Sequence, residues 1–456
     1  MKSNKRILFL IGAVLCISGC GDSGSQPSSP GSGTGNNCPA ANASCLSAAG
    51  SSAIPTSSTS TIPLYIADSS TTGAYGYANE PLVSVTLCSP NHTSGSQCQV
   101  VSNILLDTGS AGLRVFASSI APNVQLTQQT ISTPSGTLNL AECAIFGSGA
   151  DWGSIQNADV IMGGQTASNI PVQVIDINYA SIPHGCAKQC PDTDPCTAGY
   201  NGILGVAPFV QDCGPNCNST NDAVNQGTYF GCDGTGCYDG ALGNCGSDQI
   251  CMFTVATSAQ VSNPIASFAS YNNGVSISLP SVASSGSSAV TGTLTLGISS
   301  PTPSPPLAVY LMDPTGATDN NYLDFDTTFN GTTYGYQSTN STTAFLDSGS
   351  NAFYFPSALT VCSDDPYFYC PSGTSSLSAT IAGYDGSNST SVSFSVANGD
   401  TLLNSSNSAF NNLGGPMSGS FDWGLPFFYN RTIYVGINGT SSYLNGSTVN
   451  GPFWAF

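Results

Sequence analysis

Two short segments far apart in the chain repeat each other: Leu106-Asp107-Thr108-Gly109-Ser110 and Leu346-Asp347-Ser348-Gly349-Ser350. Apolar residues lead into both, Ile104-Leu105 before the first and Ala344-Phe345 before the second. A lone Asp-Thr-Gly suits any strand end or turn. A strand that delivers an aspartate onto a glycine turn twice is an internal repeat, and it points to a fold with two like halves, one motif in each.

The rest of the chain narrows that fold. Hydrophobic residues make up 40% of the 456, enough for a sizeable core, while Asp, Glu, Lys and Arg together supply only 7%. Helix-forming charged residues are therefore scarce. Gly, Ser, Thr and β-branched residues fill short alternating runs such as Leu82-Val83-Ser84-Val85-Thr86-Leu87, which predicts a mostly β architecture.

Residues 1–20 read as a lipoprotein signal, with Lys2, Lys5 and Arg6 ahead of an apolar stretch and then Ile17-Ser18-Gly19-Cys20. Cys20 is the expected lipidation site, and the apolar stretch is too short to span a bilayer. Residues 21–61 are Ser, Gly, Pro, Thr and Asn with almost no large apolar side chain, and read as a flexible tether. A Pro-rich break at Ser299-Ser300-Pro301-Thr302-Pro303-Ser304-Pro305-Pro306 divides the remainder into 62–300 and 301–456.

Setting aside Cys16 in the signal and Cys20, sixteen of the 18 cysteines remain, which suits eight disulfides in an oxidising compartment. Cys38 with Cys45, Cys88 with Cys98, and Cys362 with Cys370 are local candidates. Residues 186–251 hold nine cysteines, an odd number, so Cys143 is expected to pair into that cluster. The spacings Cys186-x-x-x-Cys190 and Cys213-x-x-x-Cys217 would suit zinc, but His92 and His184 are the only imidazoles, and no metal or cofactor is expected.

Beyond the signal, Arg114, Lys188 and Arg431 face 25 acidic residues, a net charge near −22. Such a surface repels nucleic acid, which is excluded as a partner. It suits work in acid, where self-repulsion falls, and equally suits solubility alone, with resistance to proteases that cut after basic residues.

The motif pair suggests a chemistry. Hydrolysis of a peptide needs a water made nucleophilic and a carbonyl polarised, and two adjacent carboxylates sharing one proton supply both. Asp107 and Asp347 are the candidate dyad. Gly109 and Gly349 let the turns close sharply, Thr108 and Ser348 can hydrogen-bond across between the halves, and Ser110 and Ser350 can steady the outer carboxylate oxygens.

At these residues the chain resembles the pepsin family. Tyr200-Asn201-Gly202-Ile203-Leu204-Gly205-Val206 is similar to the segment that runs beside that family's first catalytic strand. Ile145-Phe146-Gly147-Ser148-Gly149, followed by Val160-Ile161-Met162-Gly163-Gly164, resembles its flap hairpin. Gly292-Thr293-Leu294-Thr295-Leu296-Gly297 and Trp423-Gly424-Leu425-Pro426-Phe427-Phe428 resemble two later segments, in family order. From about residue 75 onward the chain also looks like a bacterial family of secreted proteins classed as a domain of unknown function.

The resemblance implies a two-lobed, pepsin-like acid protease fold with the active-site cleft between lobes: an N-terminal lobe at 62–300, carrying the flap and a Cys-rich insertion at 186–251, and a C-terminal lobe at 301–456. It implies an aspartic endopeptidase acting on peptide or protein substrates, expected as a monomer. The alternatives are a catalytically inactive pepsin-fold surface protein that binds peptide or glycan, and a disulfide-rich surface adhesin or envelope component. Localisation is expected at the bacterial cell envelope through a lipid on Cys20, or outside the cell after release. Three departures bear on the cleft. Phe146 stands where the family carries the flap tyrosine, so Trp152 is the candidate to supply a donor in its place. Arg114 stands where the family has tryptophan, either as partner of Glu142 or Asp151 or as a group tuning the dyad or binding an acidic substrate. Leu425 replaces an acidic residue.

Overall fold

The computed structural model describes residues 59–67, 77–133, 136–147, 149–187, 189, 191–215, 217–218, 228–234, 236–238, 254–300, 307–312, 324–338 and 342–456. Cys20, Cys38, Cys45, the signal, nearly all of the tether and the prolines of the 299–306 break lie outside these residues.

The fold is mostly β, as the alternating runs predict. Its largest sheet is assembled from both ends of the chain. The strands Thr61–Ala67, Ala289–Leu296, Gly274–Leu279 and Arg431–Gly436 pair successively and antiparallel, and Phe453–Ala455 joins both Arg431–Gly436 and Val309–Leu311. Strand 431–436, from near the end of the chain, thus lies beside 274–279, which precedes the Pro-rich break, and 453–455 extends the sheet to 309–311, which follows it. Alternation along these strands puts Leu64, Ile66, Ile277, Leu294, Ile433 and Val435 into one apolar core, the burial that holds a sheet of such distant segments together.

The two motifs are reached by the same local design. In the first half, Gly202–Val206 lies between two strands, parallel to Cys98–Asp107 and antiparallel to Ala111–Phe116. In the second half, Ser420–Trp423 lies between Thr343–Leu346, to which it is parallel, and Phe353–Phe355, to which it is antiparallel. Both inserted strands are wholly or largely buried, so their sequences, Gly202-Ile203-Leu204-Gly205-Val206 and Phe421-Asp422-Trp423, read as near-continuous apolar runs.

Five disulfides lie among the described residues: Cys88–Cys98, Cys143–Cys186, Cys213–Cys217, Cys232–Cys237 and Cys362–Cys370. Both described local pairs form as expected, and Cys143 does pair into the cysteine-rich stretch. Cys213 and Cys217, weighed as zinc ligands by their spacing, are joined to each other.

Candidate active site

Each motif strand ends where its aspartate enters a tight turn that folds backbone N–H groups onto its own carboxylate. Asp107 Oδ1 accepts from Gly109 N at 2.7 Å, and its Oδ2 accepts from the Ser110 hydroxyl. Asp347 Oδ1 accepts from Gly349 N at 2.8 Å and Ser350 N at 3.2 Å, while the Ser350 hydroxyl donates to its Oδ2 at 2.8 Å. The carboxylates are 6% and 3% exposed, buried enough for each charge to feel the other.

The middle residues of the motifs lock the turns together. Thr108 N donates to Ser348 Oγ at 3.0 Å and Ser348 N to Thr108 Oγ1 at 2.9 Å. The hydroxyls then donate onward, Thr108 Oγ1 to Leu346 O at 3.0 Å and Ser348 Oγ to Leu106 O at 2.7 Å. All four bonds are buried and cross from one motif to the other.

The glycines show how closely the turns approach. A Cβ on Gly109 would stand 2.7 Å from the carboxyl carbon of Asp347, and one on Gly349 would stand 2.7 Å from Asp107 Oδ1. Each carboxyl therefore lies over the other motif's glycine. Burial pushes the Asp347 carboxyl well above the usual carboxylate range, and the neighbouring charges of Asp107 and then Asp422 push it further, against the Ser350 hydroxyl.

The hairpin with family-like spacing is formed by Gly136–Phe146 and Gly149–Met162, paired from Ala141↔Ser154 to Phe146↔Gly149. Phe146 and Gly147 are half-buried at its tip. Trp152 does not supply the missing donor. It is fully buried against Phe230, and its indole N–H donates to Ala180 O at 3.4 Å. Strand alternation explains this, since Trp152 faces Cys143 across the hairpin and both point into a small core with Cys186.

Arg114 also points inward. It is fully buried, bonded to Glu142 at 2.9 Å, Asp212 at 3.3 Å and Ala111 O at 3.0 Å, and its guanidinium carbon sits 5.6 Å from the centre of the Phe146 ring. Glu142 is thus the partner, joined by Asp212 rather than Asp151. The Tyr229 hydroxyl donates to Asp212 Oδ1 at 2.7 Å and accepts from Val261 N at 2.7 Å, completing the cluster. Burial raises Glu142 well above the carboxylate range while Arg114 pulls it down.

Three further polar groups matter, of which sequence reasoning named only Asp151, as a partner for Arg114. Asn79, fully buried, donates to Asn351 O at 2.8 Å and Phe410 O at 2.9 Å and accepts from Tyr429, tying the chain before the first motif strand to the residue after the second motif. Asp151, near the hairpin tip, is buried beside Asp192 of the cysteine-rich segment, whose N–H donates to Ala150 O at 2.8 Å. Asp422 lies beside the motif pair. Its signal in the sequence was a single carboxylate inside the apolar run Phe421 to Phe428.

No curated protein matches the chain. Among solved structures, the aspartic proteinase from Irpex lacteus is similar over 87% of this chain and 96% of its own, at 14% identity and a TM-score of 0.43. The family model described as "Protein of unknown function (DUF3443)" matches residues 56–456, and the chain belongs to that family.

Proposed function

We propose that the protein is an aspartic endopeptidase in which Asp107 and Asp347 activate a water for attack on the peptide carbonyl. The observation that carries this reading is the mutual placement of the two carboxyls, each over the other motif's glycine and each held by its own turn. Two like charges this close cannot both be held, so the pair works with one proton between them. The ionised member takes a proton from the water as its oxygen bonds to the carbonyl carbon, and the protonated member gives its proton to the carbonyl oxygen. Collapse of the tetrahedral intermediate breaks the C–N bond, with a proton passed to the leaving amine. The Phe146 hairpin is the element to lie over an extended substrate, and the lipid on Cys20 would hold the enzyme at the cell envelope.

A second reading, a pepsin-like protein that binds peptide or glycan without cutting it, is favoured by one observation. Phe146 has no hydroxyl to offer at the hairpin tip, and Trp152 is turned away. The two readings separate when the soluble form starting after Cys20 is given an unstructured protein from about pH 3 to about pH 7, beside Asp107→Asn and Asp347→Asn. Cleavage lost by at least about 10³-fold in both variants supports the peptidase. No cleavage by wild type, with binding of a peptide whose scissile carbonyl is replaced by a hydroxyl, supports the binder. Labelled palmitate incorporated by wild type and not by Cys20→Ala tests the anchor.

A further inference from the structure

The two halves are close copies around the motifs, which makes a departure between them informative. Ile203 of the first inserted strand pairs with Leu105 on one side and Arg114 on the other. Leu105 is two residues before Asp107, and Arg114 seven after it. In the second half the residue paired with Phe345, two before Asp347, and with Tyr354, seven after it, is Asp422. An isoleucine in one half thus corresponds to an aspartate in the other. Asp422 is fully buried, and among the described residues neither of its oxygens has a hydrogen-bond partner. The groups acting on it are the Ser350 hydroxyl and the charge of Asp107, and its own charge is felt by Asp347 and by Tyr354 of the neighbouring strand.

A buried carboxylate with no donor is too costly to keep ionised, so the side chain stays a neutral acid with one O–H to place. The Tyr354 hydroxyl already donates to Asn351 Oδ1 at 2.6 Å. The Ser350 hydroxyl spends its single proton on Asp347 Oδ2, which leaves its lone pairs to accept. We propose that Asp422 is a third carboxyl of the site, a positioning residue whose O–H, in its protonated form, turns to donate to the Ser350 hydroxyl and, through it, strengthens the hydrogen bond to the outer oxygen of Asp347. In the first half the matching strand position is held by Ile203, which has no proton to offer Ser110, so the two catalytic carboxyls are chemically unequal despite their symmetric turns. The chain of hydrogen bonds favours negative charge on Asp347 and partly offsets its burial.

The proposal rests on the peptidase reading for its meaning, but its test does not need turnover. Carboxyl infrared bands are titrated in wild type, Asp422→Asn and Asp422→Ile, with the Asp347 band assigned by its loss in Asp347→Asn, and the pH–rate profile is taken on the same proteins. An amide N–H can replace the donor and an isoleucine cannot. The Asp347 titration is expected to stay within a few tenths of a unit in Asp422→Asn and to rise by about one unit in Asp422→Ile, with the alkaline limb of the rate following it. An unchanged titration in all three proteins, or a downward shift in both variants, overturns the proposal. Should Asp422→Ile fail to fold, the wild-type spectrum decides: the Asp422 band, assigned by its loss in Asp422→Asn, must persist while Asp347 titrates, and its earlier ionisation overturns the proposal. If the bands behave as expected but wild type cleaves nothing, the peptidase reading fails and this one stands.

Discussion

Thr108 and Ser348 each use one hydroxyl twice, accepting the other motif's N–H and donating to a carbonyl of the other motif's strand. Removing either hydroxyl takes a partner from a buried N–H and another from a buried carbonyl, and desolvated polar groups left short in this way cost about 1–3 kcal/mol each. Thr108→Val and Ser348→Ala are each expected to lose about 2–4 kcal/mol in urea denaturation. A loss below about 0.5 kcal/mol would mean that the turns are held together by something else.

Gly109→Ala tests the approach of the motifs rather than their stability. The new methyl would meet the Asp347 carboxyl carbon at 2.7 Å, so the carboxyl pair must separate to admit it. Misplacing a reacting group by about 1 Å costs on the order of 10²-fold in rate. The expected result is a fall of at least that size in kcat/KM with the folded β spectrum retained.

Arg114→Gln leaves Glu142 and Asp212 buried without their cation, which costs about 3–5 kcal/mol when one partner of a buried pair is removed. Adding Glu142→Gln to that variant should return part of the loss in a double-mutant cycle. Because Arg114 is fully buried, peptides with acidic and neutral side chains should show the same ratio of KM values before and after the change in any variant that folds. A selective loss for acidic peptides would place Arg114 in contact with substrate.

Stability should fall as the pH rises. Burial pushes Asp192 up to about 7 and Asp326 up to about 6, against an unfolded value of 3.8. Both folded values are raised, so each group's contribution is fully present below the unfolded value and is lost as the pH climbs to about 6 for Asp326 and about 7 for Asp192. Glu80, Asp324, Asp347 and Asp422 are raised by burial in the same direction. Thermal melts should therefore show Tm highest in mild acid and declining toward pH 7, with a shallower decline in Asp192→Asn. A Tm that rises over this interval would contradict the burial of these carboxyls as neutral groups.

The motif turns were readable from the sequence because every part of them is local. An apolar strand, an aspartate and a glycine within five residues specify a carboxylate received by its own turn's N–H groups, and the repeat specifies a second such turn. Cys88–Cys98 and Cys362–Cys370 were readable for the same reason, each closing a short loop. Trp152 misled because its face depends on the register of the hairpin, where a shift of one residue exchanges inside and outside.

The sequence by itself determined a mostly β chain with two aspartate turns, a family-like hairpin and a cysteine count that required Cys143 to find a distant partner. Tertiary structure alone decided what surrounds those turns: Asp422 at the strand position that Ile203 holds in the first half, Asp212 beside Glu142 on Arg114, and Cys186 as the mate of Cys143. Propensity and turn chemistry act over a few residues and leave their mark in the sequence. Burial and charge pairing act between strands far apart in the chain, and they take their values only once those strands are in register.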